Sequence, residues 1–212
     1  GGAVHIHCRL ANAPEDISAI RVATGEAHAL IGGDLVVSAG SKTLGLTALG
    51  RTGAVVNSHE IITGDFTRDT NFSIPSDRLQ LALEARLKDR VDLFDASDLA
   101  KATLGDSIFS NMMVFGAAWQ RGLIPLSLDA LTQAITMNGT AVERNLRAFK
   151  IGRWAVLFPA EAARVSQPEV VSLPKTLDEK IAFRSAQLVD YQGPRLATVS
   201  YNNLTLQTKR KG

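Results

Sequence analysis

Residues 50–58, GRTGAVVNS, decide the fold class. A glycine-punctuated turn leads into Ala54, Val55 and Val56, a short apolar, β-branched run that stops at Asn57. Such a run behind a Gly-rich turn predicts a strand.

Working outward, several segments suggest the rhythm of strand, connection, strand. Val4, Ile6 and Cys8 alternate with His5, His7 and Arg9, a period of two that predicts a strand. ISAIRVA (17–23) alternates again, and DLVVSAG (34–40) reads as a buried strand ending in glycine. SKTLGLTAL (41–49) is a weak helix. SDRLQLALEARL (76–87) is an amphipathic helix with Leu79, Leu83 and Leu87 in register, and RVDLFDAS (90–97) predicts a further strand. The expected fold is α/β, an open, mainly parallel Rossmann-like sheet with a helical C-terminal part.

From Ser97 the pattern turns helical. DSIFSNMMVFGAAW (106–119) is apolar almost all round, with Asp106 as N-cap and Gly116, Ala117 and Ala118 small enough for close approach by a neighbour. Ser127 opens the next helix and Asn138-Gly139 closes it. Val142, Leu146 and Phe149 mark the stripe of another, with Glu143 and Arg147 spaced for i,i+4 support. The expected organisation is a domain over 1–158, a linker over 159–175, and a C-terminal helix with an irregular tail over 176–212, the helix opened by a Thr176/Glu179 capping box.

Composition narrows the function classes. The 212 residues are 45% apolar and 21% charged, ordinary for a globular domain, and 23 basic against 21 acidic residues leave a net charge of +2. That balance gives no field for a polyanion, and the basic KRKG cluster sits at the C-terminal end, so nucleic-acid binding is not expected. A single cysteine offers no internal disulfide and no thiolate set for zinc or an iron–sulfur cluster. With no long apolar run and no leader pattern, a cytoplasmic protein off the membrane is expected.

Chemistry-bearing residues gather in a few places. His5 and His7 share a strand face but lack a further ligand, and Cys8 points to the other side, so a metal there, or a Cys8 nucleophile with a His59 base, is weakly supported against a packing role. Neither a GxGxxG nor a Walker A spacing occurs. NSHEIITGDFTRD (57–69) reads as the start of a long loop leaving the C-terminal end of the strand that holds Val55, where open α/β sheets place function; it carries His59, Glu60, Asp65, Thr67, Arg68 and Asp69. Ser107 and Asn111 fall at i,i+4 on an apolar helix, as polar groups for buried backbone or for another subunit.

Five stretches together resemble one family: GGAVHIHCRLA (1–11), RVATGEAHALIGGDLVVSAG (21–40), AVVNSHEIITGDFTRD (54–69), GDSIFSNMMVFGAAWQRGLIPLS (105–127) and AITMNGTAVERNLRAFKIGR (134–153). They are similar to the gamma (pyruvate/ketoisovalerate oxidoreductase) domain of the 2-oxoacid:ferredoxin oxidoreductases, with the nearest likeness to that domain in the fused indolepyruvate enzymes. TLDEKIAFRSAQLVDYQ (176–192) resembles the helix that follows it there.

The resemblance implies oxidative decarboxylation of a 2-oxo acid, an aryl-pyruvate by the nearest likeness, to an acyl-CoA. Thiamine diphosphate, magnesium and iron–sulfur clusters then belong to companion domains, ferredoxin takes the electrons, and this chain holds no cofactor, metal or catalytic residue of its own. Gly1, Gly2, His7 and Arg9 match the family pattern, with His5 and Cys8 at variable positions. Asn57, His59, Glu60, Asp65, Thr67, Asp106, Ser107 and Asn111 are the expected site-shaping or interface residues. The family's opening strand, GxGGxG turn and helix precede the Gly1-Gly2 pair, so an N-terminally truncated sheet with an exposed edge, and hence an oligomer, is expected. A non-catalytic fragment or interaction module of the same family and a separate small-molecule-binding α/β protein are the competing readings.

Overall fold

The computed structural model describes residues 3–59, 76–167 and 176. Three parallel strands, β1 (Ala29–Gly32), β2 (Gly53–Asn57) and β3 (Val91–Phe94), lie side by side in sequence order. Ile31 pairs with Val55, and Val55 with Asp92. Among the described residues eight α-helices surround them: α1 (Leu35–Ala39), α2 (Ser41–Leu46), α3 (Ser76–Leu87), α4 (Ala96–Leu104), α5 (Ser110–Gln120), α6 (Leu128–Asn138), α7 (Val142–Leu157) and α8 (Pro159–Ser166). The α/β class with an open parallel sheet is as expected, and the unit is mostly helical.

Strand β2 is buried at every residue because both of its faces are covered. Ala54 and Val56 pack with Leu35, Leu83 and Leu87 of α1 and α3, while Val55 points the other way, into a core built from α4, α5, α7 and α8. The two connections between strands thus lay their helices on one face of the sheet, as two crossovers of the same hand do when strands follow in order.

The C-terminal helices form as their sequence signals require. Ser127 caps α6 by accepting from Ala130 N–H, and Gly139 ends it at φ +72°, a backbone region suited to glycine. Asp106 caps a 3-10 turn (Ser107–Phe109) that runs into α5. Within the stretch expected as a linker, Pro159–Ser166 is helical, with Pro159 in the first turn and Ala162 buried in the core of α4, α5 and α7. The chain divides after Pro168 into a second unit, Glu169–Gly212. The helix and tail expected over 176–212 lie outside the described residues, Thr176 apart.

Three expected strands are not formed. DLVVSAG is helix α1 instead, because Asp34 accepts from Val37 N–H and so starts a helical turn, and β1 is the preceding ALIG. ISAIRVA carries no strand. The Val4–Arg9 segment also lies outside any strand, although its two-residue alternation is real and reversed in sense: Val4 and Ile6 are 77% and 89% exposed, whereas His5, His7 and Arg9 turn inward. Polar partners decide this. His5 Nε2 meets Thr43 Oγ1 at 2.9 Å, His7 Nδ1 accepts from Val22 N–H at 3.0 Å, and Arg9 donates to the Arg21 carbonyl and Glu26.

Candidate functional site

Asn57, the last residue of β2, is buried and makes four hydrogen bonds through its amide. Nδ2 donates to the Gly33 carbonyl (3.1 Å) and Ser97 Oγ (3.0 Å), and Oδ1 accepts from the backbone N–H of His59 (3.2 Å) and of Ala96 (3.0 Å). Two donors and two lone pairs are all that an amide has, so the residue is saturated. It joins the chain just after β1, the exit of β2 and the start of α4 at the C-terminal end of the sheet.

His59 and Asp95 meet beside this amide. Nδ1 of His59 lies 3.0 Å from Asp95 Oδ2 and 3.9 Å from Asp98 Oδ1, with the His59 and Asp95 side chains about one-third exposed. Asp95 is also the N-cap of α4, its Oδ1 accepting from Asp98 N–H at 2.7 Å, and Lys101 holds Asp98 at 2.9 Å. His59, Asp95 and Asp98 form the one grouping of metal-ligand-type side chains among the described residues. Lys101 pairs with Asp98, while Asp95 accepts from the imidazole and from the N-terminus of α4.

The expected site residues separate into groups. Asn57 and His59 are brought together, and Asn111 lies beside Gly33, since a Cβ on that glycine would sit 3.6 Å from Asn111 Oδ1. Asp106 caps the turn before α5 through Ile108 N–H at 2.9 Å, and Ser107 follows it half-buried. His7 and Arg9 belong elsewhere: they fasten the 4–9 segment to the 21–26 turn, and no hydrogen bond or ion pair among the described residues links them to Asn57 or His59. Gly1, Gly2, Glu60, Asp65 and Thr67 lie outside the described residues.

Glu26 anchors that second group. Its carboxyl is held below the usual carboxylate range, first by Ala23 N–H and then by the Arg9 guanidinium. Asp95, Ser97 and Asp98 are the site residues that the sequence reading missed. Asp95 preceding Ala-Ser-Asp is an N-cap signal that marks the helix start, although nothing local tells that the carboxylate also meets a histidine 36 residues away.

The family model for pyruvate ferredoxin/flavodoxin oxidoreductase matches residues 1–155. The chain belongs to that family. Residues 1–155 are a gamma-type domain of the 2-oxoacid:ferredoxin oxidoreductases, as their sequence resemblance implied. No curated protein and no solved structure matches the chain. An iron–sulfur cluster takes about four thiolates, whereas Cys8 is the sole cysteine and lies exposed. Among the described residues His59, Asp95 and Asp98 are the side chains placed to take a cation, and Lys101 already holds Asp98.

Proposed function

We propose that this chain is the gamma component of an enzyme that oxidatively decarboxylates a 2-oxo acid, an aryl-pyruvate such as indolepyruvate, to the corresponding acyl-CoA. Thiamine diphosphate, magnesium and the iron–sulfur clusters sit in companion domains, which pass electrons to ferredoxin in the cytoplasm. The gamma component packs on the thiamine-binding portion and shapes its active site. Its contacting surfaces are the 57–69 segment and the helix start from Asp106 to Asn111.

The match over residues 1–155 carries this reading. Supporting it, Asn57, His59 and Asp95 gather at the C-terminal end of the parallel strands, where open α/β sheets place their sites. The test is 2-oxo-acid-dependent viologen reduction by the thiamine and iron–sulfur portions, with the chain added or omitted. Reduction that requires the chain, and that falls on combined alanine substitution of Asn57, His59 and Asp65, supports the reading. Reduction indifferent to a folded chain favours an interaction module.

A further inference from the structure

We propose that Asn57 is a positioning residue for the assembled oxidoreductase: it holds the His59–Asp95 pair so that His59 Nε2 is presented as a hydrogen-bond acceptor at the mouth of the sheet. This rests on the gamma-component reading above.

Three observations carry it. The Asn57 amide has no free donor or acceptor, so it cannot itself hold a substrate or partner group, and its effect must pass through what it binds. Its Oδ1 accepts from the backbone N–H of His59 and from that of Ala96, the residue after Asp95; the single buried oxygen therefore sets the spacing between the two members of the pair. Asp95 is fixed independently by its cap bond to Asp98 N–H.

The pair has a defined polarity. A carboxylate only accepts, so the hydrogen in the 3.0 Å bond sits on His59 Nδ1, which in the neutral form of the ring leaves the lone pair on Nε2. The charged groups facing the ring among the described residues are Asp95 and Asp98 of α4, the latter joined to Lys101. A side chain so held and still partly open to solvent suits an acceptor offered to an N–H or O–H group of the companion portion or its substrate.

The closest test is Asn57→Asp, which keeps the shape and Oδ1 but removes both N–H donors, so that the Gly33 carbonyl and Ser97 lose their partner and no longer hold Oδ1 in place between the His59 and Ala96 N–H groups. Long-range proton–nitrogen correlations on histidine-labelled full chain read the His59 tautomer, assigned with His59→Gln. The wild type is expected to show hydrogen on Nδ1, and Asn57→Asp a mixture of tautomers. In the reconstituted enzyme Asn57→Asp should lower kcat roughly tenfold with the 2-oxo-acid KM within about twofold, the pattern of an interaction made in the transition state after allowing for modest KM drift. The Asn57→Asp/His59→Gln double variant should be no slower than the slower single.

A variant that retains the wild-type tautomer and kcat overturns the proposal, as do losses that multiply in the double variant. Should Asn57→Asp fail to fold, Ser97→Ala frees one of the two donors and should shift tautomer and kcat in the same sense; no shift counts against the proposal equally. Turnover that needs the wild-type chain but ignores Asn57→Asp sinks only the positioning role. Turnover that never needs the chain sinks the component reading and this role with it.

Discussion

Gly152 of α7 lies directly against the backbone carbonyl of Met113 in α5, and the contact is reciprocated by Gly116 of α5 against the carbonyl of Phe149 in α7. A Cβ at either glycine would overlap main-chain atoms, which cannot rotate away as a side chain can. The two helices therefore pack at a separation that only glycine permits, with Met113 and Phe149 buried at the seam.

Gly152→Ala should therefore destabilise the unit by about 1–3 kcal/mol or more, as overpacking does. Gly45→Ala supplies the control: it lies within α2 with nothing near its Cβ position, and should stabilise by about 0.5–1 kcal/mol through the unfolded chain and helix propensity. Urea unfolding of the two variants measures both signs.

Arg121, following α5, ties three elements together. Its guanidinium forks onto the Asp92 carboxylate of β3 and donates to the Val156 carbonyl of α7 at 2.8 Å. Lysine keeps the charge but not the fork, so Arg121→Lys should cost about 1 kcal/mol in the same unfolding experiment. Stability equal to wild type would mean that the fork is fully exchanged with water.

Glu26 predicts a dependence on acid. Its carboxyl is depressed below the ordinary value of 4.5 by Ala23 N–H and Arg9, so its contribution is complete above that value and is lost as pH falls through the lower folded value. Hydrogen exchange in residues 3–11 should rise over that acidic window, and Glu26→Gln should remove the step. A step that persists in the variant would place its origin in another group.

How far the chain could be read from its residues depended on where each residue finds its partner. Strand β2 was legible because the apolar Ala54–Val56 run follows a glycine-punctuated turn, a local signal that needs nothing distant to explain it. Helix α1 has the same apolar look over a handful of residues, where periodicity cannot separate helix from strand, and the capping Asp34 decides the matter.

The 4–9 segment shows the limit differently. Its alternation was visible, but its inward side is set by the Thr43 hydroxyl, the Val22 backbone N–H and the Glu26 carboxylate, polar groups distant in sequence, against the usual rule of apolar inside. At the site, Asn57 and His59 stood out as polar residues on the segment expected to leave the strand that holds Val55 as a loop. Asp95 and Ser97 did not, because their meaning comes from β3 delivering the start of α4 beside β2.

The central claim, that this chain is a working gamma component, is tested most directly by 2-oxo-acid-dependent viologen reduction with the thiamine and iron–sulfur portions of such an enzyme, in the presence and absence of the chain. The account predicts reduction that appears on adding the chain and saturates with it. A folded chain that leaves the rate unchanged at every concentration would contradict it.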